Sequence, residues 1–112
     1  MALLTKDAIL AAEDRRTEEV SVPEWGGSVL VRTMCGSERD AFELAVSGAT
    51  KSNIRARFCA AVIVDEKGNR VFNDNEIVKL GNKSASALDR VFDAGQRLNK
   101  FSDKDVEELA KV

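Results

Sequence analysis

The chain has 112 residues with 17 basic and 19 acidic side chains, a formal charge of −2, and this near-balance argues against a protein whose main task is coating nucleic acid. It contains no histidine and no tyrosine, and aromatics make up only 5%, which removes the commonest general base and metal ligand and leaves few platforms for stacking bases. With 44% hydrophobic and 32% charged residues, the composition is that of one globular domain spanning residues 1–112, long enough to bury a core without staples.

Along the chain, Thr5 is placed to cap a short helix reaching about Glu13, with Ala8, Ile9 and Ala12 on its apolar side and Leu4 as a staple to Ile9. The cluster Glu13–Glu19 is polar and reads as a solvated link. Val20 and Val22, then Val29 and Val31, repeat at period two on either side of Pro23-Glu-Trp-Gly-Gly27, which predicts a β-hairpin. Ser37 is expected to cap a second helix carrying Ala41, Phe42, Ala45 and Val46 and stopped at Gly48.

Asn53 is expected to cap a third helix with Ile54, Phe58, Ala61 and Val62 on one face. From Val62 to Phe72, through the turn Asp65-Glu-Lys-Gly-Asn69, the pattern fits either a second small hairpin or a buried helix followed by a turn. Asp74 is expected to cap a short helix ended by Gly81. Ser84 then starts the longest helical pattern, with Leu88, Val91, Phe92, Gly95 and Leu98 along one side as far as about Asn99. Ser102 is expected to cap a last helix bearing Val106, Leu109 and Ala110. The fold class expected is α+β, mainly helical, with one N-terminal hairpin.

The chemical motifs are weak. Gly81-Asn82-Lys83-Ser84 resembles the end of a phosphate loop, but that loop needs Gly directly before Lys and another Gly five positions earlier, where this chain has Asn82 and Ile77. An EF-hand read from Asp65 fails at its third position, Lys67, and its sixth, Arg70. Cys35 and Cys59 lie 24 positions apart without further ligands, which favours two free thiols over a disulfide or a zinc site. Arg55, Arg57 and Arg70, and likewise Arg90 and Arg97, are interleaved with acids and read as solvated faces or ion pairs.

Carboxylate pairs such as Glu18/Glu19 or Asp74/Glu76 would need one shared cleft to do acid–base chemistry, and both pairs read better as surface, cap or turn residues. No catalytic, cofactor-binding or metal-ligating set is expected. The first ten residues lack the layout of a signal peptide, and the longest apolar run, Phe58 to Val64, is too short to span a bilayer; a cytoplasmic location is the expectation.

Trp25, at the hairpin turn, either packs back on the core or is presented as an interface anchor. Ile9, Val106 and Leu109, on short helices near the two ends of the chain, are further interface candidates, since such helices dock on a neighbour as readily as on their own core.

From Val22-Pro-Glu-Trp-Gly-Gly27 through Val29-Leu-Val-Arg32 to Gly36-Ser-Glu-Arg-Asp-Ala-Phe-Glu43, the chain resembles the tail assembly chaperones of long, non-contractile-tailed bacteriophages. The likeness continues at Asn53-Ile-Arg-Ala-Arg57, Val64-Asp-Glu-Lys-Gly-Asn-Arg70, Leu80-Gly-Asn-Lys-Ser-Ala-Ser-Ala87, Leu88-Asp-Arg-Val-Phe92 and Gln96-Arg-Leu-Asn99. No one block is chemically diagnostic; their order and spacing carry the match.

The resemblance implies a non-enzymatic factor of the host-cell cytoplasm that binds the tape measure protein and keeps it soluble. It also implies that the factor promotes tail tube assembly around that protein and is absent from the finished virion. It further implies self-association, contact with the tail tube protein mainly through a longer frameshifted form, and no nucleic acid or membrane partner. Ending at Val112, this sequence looks like the short form. A small structural head–tail connector or tail-completion protein is the alternative, being of similar size and equally free of catalytic residues.

Overall fold

The computed structural model describes residues 3–47 and 53–99. Its frame is the expected hairpin. Strand β1 (Thr17–Val22) runs antiparallel to β2 (Gly27–Arg32), with Val20 opposite Val29 and Val22 opposite Gly27. A single 3-10 turn, Pro23–Trp25, joins them. Proline suits its first position, where no amide donor is needed, and Gly26 closes the turn at φ 75°, a conformation glycine adopts without a Cβ clash.

Residues directly opposite on paired strands share a face, so the register sorts the sheet into two sides. Val20, Val22, Val29 and Val31 face inward. Glu19 and Leu30 face outward.

The polar run 13–19 is not merely a solvated link. Thr17, Glu18 and Glu19 belong to β1, because pairing of their backbone with β2 outweighs their polar composition. Arg15 donates from Nε and Nη2 to the Thr33 carbonyl at 3.1 and 2.8 Å and also bonds Glu38.

Helix α2 (Gly36–Val46) is capped one step earlier than expected. Cys35, not Ser37, holds the N-cap position, and its amide donates to Glu38 Oε1 at 2.9 Å. The carboxylate at the third helical position accepts from the N-cap amide, as in one half of a capping box, and this fixes the start of the helix at Gly36. Phe42 and Val46 turn into the core.

Helix α3 (Ile54–Val62) is the centre of the molecule, with Ala56, Phe58, Cys59, Ala60 and Val62 all buried. Asn53 precedes it in the left-handed region at φ 59° and makes no side-chain cap; asparagine tolerates that conformation better than most residues.

The 62–72 segment combines the two expected forms. The helix ends at Val62 and passes directly into a two-residue strand, β3 (Ile63–Val64), which pairs antiparallel with β2, Val64 opposite Leu30 and Ile63 opposite Val31. The turn beyond it is closed by one bridge, Val64 to Arg70. Asp65 Oδ1 organises that turn by accepting from the amides of Lys67 and Asn69 at 2.9 and 3.0 Å.

Asn73, not Asp74, caps the following 3-10 turn (Asp74–Glu76), accepting from the Asn75 amide while Glu76 reaches back to the Asn73 amide, each at 3.0 Å. Asp74 is drawn instead to Arg70 at 3.1 Å. The short helix α4 (Ile77–Gly81) continues the turn.

The last described helix, α5 (Ala85–Asn99), lies across α3 and the inner face of the hairpin and buries Ala87, Leu88, Val91, Ala94, Gly95 and Gln96. Phe58 packs between Phe42 (ring centroids 5.4 Å apart, edge-on) and Phe92 (5.0 Å). Asn99 ties the end of α5 to the β2–α2 link, accepting from the Met34 amide at 2.7 Å and donating to the Gly95 carbonyl at 2.8 Å.

The fold is thus an α+β unit: a three-stranded antiparallel sheet, order β1-β2-β3, with helices on one side. Helix α1 (Lys6–Ala11) stands apart from this core. Thr5 caps it as expected, accepting from the Ala8 amide at 3.1 Å, but it ends at Ala11 rather than Glu13 and none of its residues is buried. The expected Leu4–Ile9 staple leaves both side chains mostly in solvent, at 74% and 56% exposure. The last expected helix, with Val106 and Leu109, lies outside the described residues.

Candidate protein-interaction surface

Among the described residues, the helix packed on the hairpin, α5, covers one side of the sheet. On the other, Leu30 of β2 and Val64 of β3 stand side by side, and Val71 and Phe72 rise next to them after the turn. They floor an open groove of about 850 Å³. Trp25 forms one wall. It is half-buried, packed against the core cluster and lining the groove. Past Trp25 and Phe72 the surface continues into a second hollow of about 460 Å³ that reaches Leu80 between Lys79 and Lys83.

The rim is acidic. Glu19, Asp65 and Glu66 line the groove with Lys67, and Arg32 stands on the same outer face two residues beyond Leu30, donating to the Gly68 carbonyl at 3.3 Å. Asp65 is engaged with the amides of its own turn, whereas among the described residues neither Glu19 nor Glu66 has a hydrogen-bond or ion-pair partner. At the hairpin turn, Glu24 meets Arg90 of α5 at 2.8 Å. Its own backbone amide, and then the Arg90 guanidinium, hold the Glu24 carboxyl below the usual carboxylate range.

Of the residues singled out from sequence, Trp25 lies on this groove. Ile9 does not: it sits exposed on α1, beside Leu3, Leu4 and Leu10, which are 97%, 74% and 77% exposed. Val106 and Leu109 are outside the described residues. Sequence reading missed Leu30, Val64, Val71 and Phe72 as site residues. The available signal was the unbroken apolar run Val29-Leu-Val31 within an alternating strand, which forces its middle residue onto the face opposite its neighbours.

The other chemical features resolve into structural roles. Glu18 and Glu19 point to opposite faces of β1, and Glu18 pairs with Arg97 at 2.8 Å. Asp74 and Glu76 are used by Arg70 and the Asn73 amide. Arg55 pairs with Asp89 at 2.6 Å, so Arg55, Arg70, Arg90 and Arg97 all meet carboxylates rather than forming basic patches.

Both cysteines are free thiols. Burial first, and the Asp89 charge second, push the Cys59 thiol up to about 12. Gly81 ends α4 where a Cβ would lie 2.5 Å from Asn53 Oδ1 and 3.6 Å from the Ala56 methyl, so its role is close packing against α3. Among the described residues, no group of three or more metal-ligating side chains converges, and no helix is long and apolar enough to cross a membrane.

The arrangement offers shallow apolar contact with a charged border rather than an enclosed reaction site. Comparison with known proteins finds no matching family model, no matching curated protein and no matching solved structure.

Proposed function

We propose that this chain is a phage tail assembly chaperone, which binds the tape measure protein in the host-cell cytoplasm, keeps it soluble and promotes tail tube assembly around it. The observation that carries the reading is the ordered run of sequence blocks from Val22-Pro-Glu-Trp-Gly-Gly27 to Gln96-Arg-Leu-Asn99. These blocks fall on the hairpin turn, α2, α3, the Asp65 turn and α5, the elements that build the molecule.

The surface supports the reading. A long, aggregation-prone helical partner needs many shallow, reversible apolar contacts, and the open groove beside Trp25 is a contact of that kind. Self-association along the partner would multiply weak contacts through effective concentration. Contact with the tail tube protein belongs mainly to a longer frameshifted form in this reading.

Co-expression with the tape measure protein encoded nearby is expected to raise that protein's soluble fraction and to co-purify the two. Unchanged solubility without co-purification overturns the proposal. Finding the chain in purified mature particles by mass spectrometry would instead identify a structural connector or tail-completion subunit.

A further inference from the structure

We infer that the outer sheet groove binds one class of partner segment: an amphipathic helix that carries lysine or arginine along the borders of its apolar stripe. The inference rests on the chaperone reading for the identity of the natural partner, but its chemistry is argued from the groove alone.

The floor sets the shape. Leu30 and Val64 lie on adjacent strands at the base of the groove; Val64 is buried, at 5% exposure, so the open apolar surface comes mainly from half-buried Leu30, Trp25 and Phe72 and from exposed Val71, a shallow strip and not a slot for one side chain. A helix packs over a sheet face with its axis about 10 Å away, so it covers such a strip with residues spaced three and four apart. A strand added at the sheet edge would leave this face bare.

The border sets the charge. Three acids, Glu19, Asp65 and Glu66, stand against two cations, Lys67 and Arg32, and Arg32 is held on the Gly68 carbonyl; Glu19 and Glu66 have no partner among the described residues, whereas Glu18, Glu24, Glu38, Glu43, Asp74 and Asp89 are each paired with an arginine. A helix bringing acids would place like charges at the edge of a desolvating contact; one bringing cations pairs them. Rim charges of this kind act chiefly on partner choice and on the rate of encounter.

The chain carries its own reporter. Trp25 is its single tryptophan and there is no tyrosine, so intrinsic emission reads the wall of the groove directly. Two synthetic helical peptides with the same leucine–alanine stripe, one bordered by lysine and one by glutamate, are titrated into the full chain.

The lysine-bordered peptide is expected to shift Trp25 emission saturably and to bind about 5- to 10-fold more tightly than the other, with the preference falling below about 2-fold in about 0.5 M NaCl. Glu19→Lys with Glu66→Lys is expected to abolish or reverse the preference. Asp40→Lys with Asp93→Lys makes the same change in net charge at exposed acids away from the groove and is expected to preserve it. Equal affinities, no emission change with either peptide, or a preference that both double variants alter equally, overturns the inference.

Co-expression of each double variant with the tape measure protein separates the two proposals. If the wild type solubilises that protein and Glu19→Lys with Glu66→Lys does so equally well, the groove inference fails and the chaperone reading stands. If the wild type prefers the basic peptide but solubilises nothing, the reverse holds.

Discussion

At the scale of single residues, the core depends on one place where a side chain is missing. A Cβ on Gly95 would fall on the Phe58 ring, and Phe58 is fully buried between two other phenylalanines. Neither ring nor helix backbone can yield without opening the α3–α5 contact. Gly95→Ala is therefore expected to lower unfolding free energy by about 1–3 kcal/mol. Gly27→Ala, where a Cβ meets nothing within 4 Å, is expected to stay within about 0.5 kcal/mol. Urea unfolding midpoints decide between these outcomes.

Cys59 offers a second test at the same scale. Its pKa is raised in the fold, from an ordinary 9.0 to about 12, so the buried neutral thiol contributes stability that is fully present below 9.0 and is lost as pH rises towards 12. Relative to Cys59→Ala, the wild-type chain is expected to lose about 1–2 kcal/mol between about pH 8 and about pH 10. Parallel denaturation curves for the two proteins at both pH values read this; an unchanged difference means that the thiol titrates normally.

At the scale of elements, hydrogen bonds outside the regular ladders determine where pieces begin and how they join. Glu38 both receives the Cys35 amide and holds Arg15, and Arg15 in turn donates twice to the Thr33 carbonyl. Entry into β1, exit from β2 and the start of α2 are thereby fastened at one point. Arg15→Ala is expected to cost about 1–2 kcal/mol, since charge-assisted bonds at a part-buried site are lost. Arg39→Ala, which removes an exposed pair with Glu43 within one helix, is expected to cost less than about 0.5 kcal/mol. Thermal unfolding of the two variants checks the contrast; equal effects would mean that the Arg15 junction contributes no more than an exposed pair.

Helix α1 shows the opposite situation. Six residues are too few for a helix to be stable alone, and Leu3, Leu4, Ile9 and Leu10 gain nothing from the core of their own chain.

At the scale of the whole molecule, opposite charges from separate elements meet in pairs. Arg55–Asp89, Arg90–Glu24 and Arg97–Glu18 bridge distant parts of the chain, the last two joining α5 to the hairpin. All three are largely solvent-exposed, and such pairs contribute little. Raising NaCl from about 0.05 to about 1 M is accordingly expected to change unfolding free energy by no more than about 1 kcal/mol. A larger loss, followed by chemical denaturation at each salt concentration, would show that the α5–hairpin contact is held by charge and not by Val22, Val31 and Val91.

The elements themselves were legible from local pattern. Period-two valines around Pro23 and Gly26 specify the hairpin, and apolar residues three and four apart specify α2, α3 and α5, because strand and helix periodicity depend on neighbours a few positions away. Cap positions were legible only to within one or two residues. At Cys35 and at Asn73 the decision fell to Glu38 and Glu76, carboxylates that reach back across the first turn. The change from helix to strand at Ile63 was open from sequence, because an apolar run suits either state until β2 supplies its backbone partner.

Of the groove, only Trp25 was singled out from sequence, and the Val29-Leu-Val31 run hinted at Leu30. Leu30 and Val64 are 34 positions apart, and only the β2–β3 register makes them neighbours. Composition and periodicity determined the α+β class and most of the core; which face of the sheet the described helices leave open, and which two acids beside Trp25 lack a partner among the described residues, was decided by long-range packing that local pattern does not encode.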